Sequence, residues 1–221
     1  MKPRFVLFDL DHTLLAGDSD VLWCDFLMEE GVLERAAFAR RNAAMEEGYR
    51  AGTVDAAAFA NFYVGTLAGR SPAQWEPLRQ RFLHESIVPR IPAAAAALVR
   101  EHLAARELVV LTTATNRFIT ELTAGHFAIA HLLATEPELE NGIFTGRATG
   151  TLNMRAGKVV RLHAFLAERG LALQDLDSIA YSDSRNDLPL LEAVDTPVAV
   201  DPDPHLAAVA RERGWRVISL R

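Results

Sequence analysis

The chain is nearly free of cysteine: Cys24 is the only one in 221 residues. A single thiol excludes an intrachain disulfide framework and a cysteine-rich metal site. Inside "VLWCDFL" it reads as a small packed hydrophobe. Long apolar runs are missing too. Nothing approaches the roughly 18 consecutive apolar residues of a membrane-spanning helix. The opening "MKPRFVLFDLDH" has an apolar stretch too short and too acidic for a secretory leader. A cytoplasmic protein with no membrane partner is therefore expected. Basic blocks do not occur, and the formal net charge is −6. Nucleic acid, whose phosphate backbone demands a concentrated positive face, is not an expected partner. Neither an internal repeat nor a glycine- and serine-rich linker divides the chain. What remains is half hydrophobic and 24 % charged, suited to one large domain or to a core with an insertion.

Strand signals are confined to the start and the second half. "FVLFD" opens the chain, followed much later by "ELVVLTT" (107–113), "HLLAT" (131–135), "SIAYSD" (178–183), "TPVAV" (196–200) and "RVISL" (216–220). Helical patterns separate the later runs, and that alternation predicts an α/β fold with a parallel sheet covered on both faces. Asn141-Gly142 within "ELENGIFTGRA" predicts a hairpin. From residue 17 to about 90 the pattern is helical throughout. Phe59, Phe62, Tyr63 and Leu67 share one helical spacing and Trp75, Leu78 and Phe82 another. The segment is too long for a simple crossover, so a helical insertion with its own small core is expected. It ends near "VPRIP", where Pro92 is predicted to open the next helix at its first position.

The chemistry-bearing residues gather at the carboxyl ends of the predicted strands, where ligands of such sheets sit. Asp9 ends the first strand and Asp11 follows. Thr112-Thr113 end the second, which runs into a helix near Asn116. Asp183 ends "SIAYSD", with Asp187 in the next turn and Lys158 at a helix start. Two like charges about 4 Å apart repel by about 4 kcal/mol at an effective dielectric near 20, so carboxylates sharing one crevice need protons or a cation. The anionic ligands are all oxygen donors, which selects a hard ion, Mg²⁺. Amides at a helix start, a threonine and Lys158 would cradle a phosphate. Phosphoryl transfer depends on positioning and charge stabilisation, and this inventory fits it.

Taken in order, "FDLDHTLL", "LTTATN", Lys158 and "YSDSRNDLPLL" resemble the motifs of the haloacid dehalogenase superfamily of phosphohydrolases, in its phosphoserine-phosphatase-like branch (subfamily IB). "LLATEPELENGIFTG", "GKVVRL" and "VAVDPDPHL" resemble that branch as well, so the likeness covers nearly the whole chain. The resemblance implies a Rossmann-like, doubly wound, mostly parallel core made of residues 1–16 and 91–221, with an all-helical cap domain, 17–90, between the first and second motifs. It implies that Asp9 attacks phosphorus and is phosphorylated, while Asp11 protonates the leaving alcohol and later deprotonates water. Asp9, the backbone carbonyl of Asp11 and Asp183 would hold Mg²⁺, with Asp187 supporting through metal-bound water. Thr113 (or, failing it, Thr112), Ala114 and Lys158 would bind the phosphoryl group. The proton donor at Asp11 sets carbon–halogen cleavage aside. His12 and Ser182 depart from the pattern, each standing where glycine is usual.

The resemblance further implies that Asp18, with Asp20 beside it, receives an ammonium on a small amino-alcohol phosphate such as phosphoserine or histidinol phosphate. Asp18 as a plain helix cap is the competing reading. A phosphomutase or phosphotransferase and a non-enzymatic phospho-accepting signalling protein are the rival functions, and the chain is expected to be a monomer or a homodimer.

Overall fold

β1 (Arg4–Asp9) is buried on both faces because successive side chains alternate. Val6 and Phe8 enter one hydrophobic cluster and Phe5 and Leu7 another, on opposite sides of the sheet. Burying four such side chains contributes roughly 1.5–3 kcal/mol each, which sets the strand in the middle and presents Asp9 at its end. The computed structural model describes residues 2–221. After β1 come α1 (Ser19–Glu29), α2 (Arg35–Ala51), α3 (Ala56–Val64) and α4 (Pro72–Phe82), then α5 (Ala93–Ala104). The second half alternates β2 (Leu108–Asn116), α6 (Arg117–His126), β3 (His131–Glu140), β4 (Ile143–Thr149), α7 (Ala156–Ala167), β5 (Asp177–Ser182), α8 (Leu188–Ala193), β6 (Thr196–Val200), α9 (Pro204–Arg213) and β7 (Arg216–Ile218). The seven strands form one sheet ordered β4-β3-β2-β1-β5-β6-β7. Every pairing is parallel except β3 with β4. α5 and α6 cover one face, α7, α8 and α9 the other. This is the doubly wound α/β core with a helical insertion that the sequence predicts.

Asn141 (φ 51°) and Gly142 (φ 77°) turn β3 into β4 with both residues left-handed, which only such a pair adopts readily. Two elements differ from expectation. β2 continues past Thr113 to Asn116, because Thr112, Ala114 and Thr115 find buried partners that keep the chain extended. Pro92 stands just before α5 rather than in it, with an extended ψ of 142°.

The helical insertion does not own a single core. Trp23, Phe26, Trp75 and Phe82 interlock, with Trp23 ring centroids 5.7 Å from Trp75 and 5.1 Å from Phe82. That knot belongs to the same cluster as Val6, Phe8 and Phe118. Only Phe59, Phe62 and Tyr63 form a satellite, with Cys24, Ala114 and Met154. Periodicity told which residues were apolar, not which element they would face.

Candidate active site

The ends of β1, β2 and β5 converge at the middle of the sheet, where the chain leaves β1 on one side for β2 and returns on the other as β5. Asp9 is 5 % exposed there. Its Oδ1 accepts a hydrogen bond from Lys158 Nζ at 2.7 Å, and Lys158 donates a second, also 2.7 Å, to Asp187 Oδ2. Lys158 lies in the first turn of α7 and is itself buried. Although burial works against its charge, Asp187 and Asp9 raise its pKa above the usual lysine value. Thr13 Oγ1 lies 3.1 Å from both Asp9 Oδ2 and Asp183 Oδ1 and accepts the Asp183 amide at 3.0 Å. Side chains from residues 9, 13, 158, 183 and 187 thus form one bonded unit.

One ammonium does not balance this unit. Burial, with the Asp187 and Asp11 charges adding to it and Lys158 opposing, pushes Asp9 up to about 7. Burial and the charges of Asp9 and Asp187 raise Asp183 well above the carboxylate range. Asp187 Oδ1 is buried with no hydrogen-bond partner. Crowded oxygen donors with an orphaned lone pair suit a hard divalent cation. Among the described residues no group of three or more His, Cys, Asp or Glu is arranged as a ready cage.

Asp11 is held by a separate set of donors. Its Oδ1 accepts from the Ser19 amide (2.7 Å) and Ser19 Oγ (2.6 Å), and its Oδ2 from Thr113 Oγ1 (2.9 Å) and Thr115 Oγ1 (3.1 Å). Thr113 therefore faces the site, as the strand pleat requires. Thr112 turns to the other side, where Asn153 Nδ2 donates to its hydroxyl at 2.9 Å. The expected helix-end cradle at Thr113 is not formed. β2 runs on, Ala114 packs against the Phe59–Tyr63 satellite, and α6 begins only after Asn116, whose side chain caps it. The two departures from the family pattern are both accommodated. His12 adopts φ 58°, a left-handed backbone that glycine takes at least cost. Ser182 Oγ donates to Asp187 Oδ2 at 2.8 Å, a contact glycine lacks.

On the insertion's side, Asp18 caps α1: its Oδ1 accepts from the Asp20 and Val21 amides at 2.9 and 3.1 Å. Both bonds land on one oxygen. Burial and the Asp11 charge push Asp18 up to about 8. Burial, then Asp18 and Asp11, also raise Asp20. Asp20 Oδ1, Asn42 Oδ1 and Tyr63 Oη are buried without partners. A cavity of about 540 Å³ opens above, bordered by His12, Asp18, Tyr49, Asp183, Arg185 and Arg221 among others. Sequence reasoning missed Thr13, Ser19, Thr115 and Tyr49. Thr13 had a signal, since it is the last residue of a D-x-D-x-T pattern; the others had none.

A match to the haloacid dehalogenase-like hydrolase family spans residues 6–192. The chain is 36 % identical over 220 residues to a histidinol-phosphatase of Neisseria meningitidis serogroup C (strain 8013), covering 99 % of each. Its structure resembles the crystal structure of a protein of unknown function from Bordetella pertussis Tohama I, with TM-score 0.94, 46 % identity and 100 % coverage of both chains. It also shares the fold of a phosphoserine phosphatase solved as a phospho-aspartyl intermediate analogue, at TM-score 0.71, 16 % identity and coverage of 100 % and 95 %. With the strand-end carboxylates, the buried lysine and a match of this extent, the chain belongs to the haloacid dehalogenase-like hydrolases, and within them it is a phosphatase.

Proposed function

We propose that the protein is a Mg²⁺-dependent phosphomonoesterase that works through a phosphoaspartate on Asp9 and releases a small amino alcohol. The observation that carries this reading is Lys158 Nζ held 2.7 Å from both Asp9 Oδ1 and Asp187 Oδ2 in a buried site. A carboxylate oxygen of Asp9 attacks phosphorus; the new O–P bond forms as the ester P–O bond breaks, and Asp11 gives its proton to the leaving oxygen. Water then attacks the phosphoaspartate, Asp11 takes a proton from that water, and phosphate departs, restoring Asp9. Ser19, Thr113 and Thr115 fix Asp11 through hydroxyls that can rotate as the proton comes and goes. Lys158 and Thr113 face the phosphoryl oxygens. Asp9, Asp183 and the Asp11 carbonyl would hold Mg²⁺, with Asp187 behind them through water. The bound cation supplies positive charge that offsets the carboxylates and the phosphoryl oxygens. Residues 17–90 act as the cap that excludes water and selects the alcohol.

The free oxygen of Asp18 and the unpartnered Asp20 Oδ1 favour an ammonium on the leaving group. Arg185 and Arg221 border the same cavity and would meet a carboxylate, which phosphoserine has and histidinol phosphate lacks. Phosphate release from a panel of both, with amine-free esters beside them, tests the reading with Mg²⁺ and with a chelator. Turnover with metal, near-background rates with chelator and a preference for amine-bearing esters are expected. Equal rates on amine-free esters would remove Asp18 from substrate binding, and metal-independent turnover would remove the cation.

A further inference from the structure

The end of α2 reaches from the insertion to the reaction centre. Tyr49 lies in its last turn and borders the cavity together with Asp18 and Asp183. Its ring is stacked on Phe59 at a centroid distance of 4.8 Å, which fixes the direction of the phenol. Among the described residues the phenol oxygen takes no protein hydrogen bond, although burial and then the charges of Asp187, Asp9, Asp183 and Asp18 bear on it and keep it protonated. A hydroxyl in that position is a donor without an acceptor of its own, on the cavity that Asp18 and Asp183 also border.

The backbone that carries Tyr49 is pinned from the core. Asn186 Nδ2 donates to the Tyr49 carbonyl at 2.8 Å, Arg155 Nη2 to the Val54 carbonyl at 3.1 Å, and Arg155 Nε to Asn186 Oδ1 at 3.1 Å. These bonds close a loop between the tip of the insertion and two core segments. Asn186 stands between Asp183 and Asp187, and Arg155 one turn before Lys158. Arg155 adopts φ 52°, ψ −127°, a backbone conformation that a non-glycine residue keeps only where the surroundings enforce it.

We propose that Tyr49 is the insertion's own contact with the reacting group: its phenol donates a hydrogen bond to the phosphoryl oxygens beside Asp9, and Arg155 and Asn186 are the positioning residues that hold it there. The inference rests on the site being a phosphoryl site, and it adds a residue from the opposite side of the cavity. A donor of this kind stabilises the charge gathered on phosphorus, and a hydrogen bond to a charged group is worth about 1.5–3 kcal/mol, a factor of about 10 or more in affinity.

The experiment measures the affinity of the full chain for inorganic phosphate with Mg²⁺ by calorimetry, alongside kcat and KM for a phosphomonoester. Tyr49→Phe keeps the ring and its stack on Phe59. It should weaken phosphate binding about tenfold and lower kcat/KM by a similar factor, with an unchanged melting temperature. A purely structural role for Tyr49 leaves phosphate affinity unmoved, and wild-type affinity in Tyr49→Phe overturns the proposal. Arg155→Ala retains the phenol but frees its support and should raise KM more than it lowers kcat. If Tyr49→Phe is unstable, unchanged phosphate affinity in Arg155→Ala overturns the proposal instead. A wild-type chain that binds phosphate but hydrolyses no ester defeats the reaction proposed above, while the phosphate comparison still decides the role of Tyr49.

Discussion

The sheet end and the insertion differ in how their polar groups are satisfied. On the sheet side, Asp9 is bonded to Lys158 and Thr13, and Asp11 is gripped by Ser19, Thr113 and Thr115, while Asp187 Oδ1 and His12 Nε2 are left unpartnered. On the insertion side, Asp20 Oδ1, Asn42 Oδ1 and Tyr63 Oη are buried without partners. Unmet buried polar groups cost about 1–3 kcal/mol each, so a protein keeps them where something else completes them. The sheet side carries its own preorganisation for chemistry common to many esters. On the proposed function, selectivity falls to the insertion, which meets the cavity through Asp18, Tyr49 and Arg50.

That contrast can be broken at several points. Asp9→Asn has the largest expected effect: phosphate release should fall at least about a thousandfold for every ester, as loss of a nucleophile does, with circular dichroism unchanged. Substantial turnover in this variant sinks the nucleophile assignment. Lys158→Met should follow, acting on stability as well as rate. It leaves Asp9 and Asp187 buried with no cation between them, a loss of about 3–5 kcal/mol in denaturant unfolding. Added Mg²⁺ should restore part of it; an unchanged unfolding midpoint would mean that the bonded unit is ornamental.

The smallest effect lies on the insertion side and concerns pH. Burial raises Asp18 from the usual 3.8 to about 8 in the folded protein, and raises Asp20 in the same direction. The folded chain then holds protons that the unfolded chain releases, so this stability is full below the unfolded pKa and is lost as pH rises through about 8. The melting temperature of metal-free protein should fall across that range. Asp18→Asn, which still caps a helix well, should flatten the fall. Identical slopes in the two proteins would mean that Asp18 is ionised at neutral pH.

The sheet side was the more legible of the two in the sequence. A short apolar run such as Phe5-Val6-Leu7-Phe8, bounded by turn signals, reads as a buried strand, and the carboxylate directly after it marks the strand's end. The same logic drew attention to Asp183 and to Asp187 in the turn after it, while Lys158 was read at a helix start and the hairpin from the Asn141-Gly142 turn pair. Orientation within a pair was less accessible. Thr112 and Thr113 are alike in composition, and only the pleat and Asn153 decide that Thr113 meets Asp11. Asp18 illustrates the limit differently: it caps α1, as one reading required, yet through a single oxygen that leaves the other reading open. Nothing local marked Ser19, Thr115 or Tyr49, because their roles come from contacts with residues far along the chain.

By itself the sequence determined the secondary elements, the parallel sheet and the strand ends at which charged groups emerge, because periodicity and strand-end polarity are local properties of a chain in water. Tertiary structure alone decided which oxygen faces which donor, that the aromatic knot of the insertion joins the main core, and that Tyr49 borders the same cavity as Asp18 and Asp183. Those outcomes depend on packing between distant segments, where an ångström of displacement separates a hydrogen bond from an empty approach.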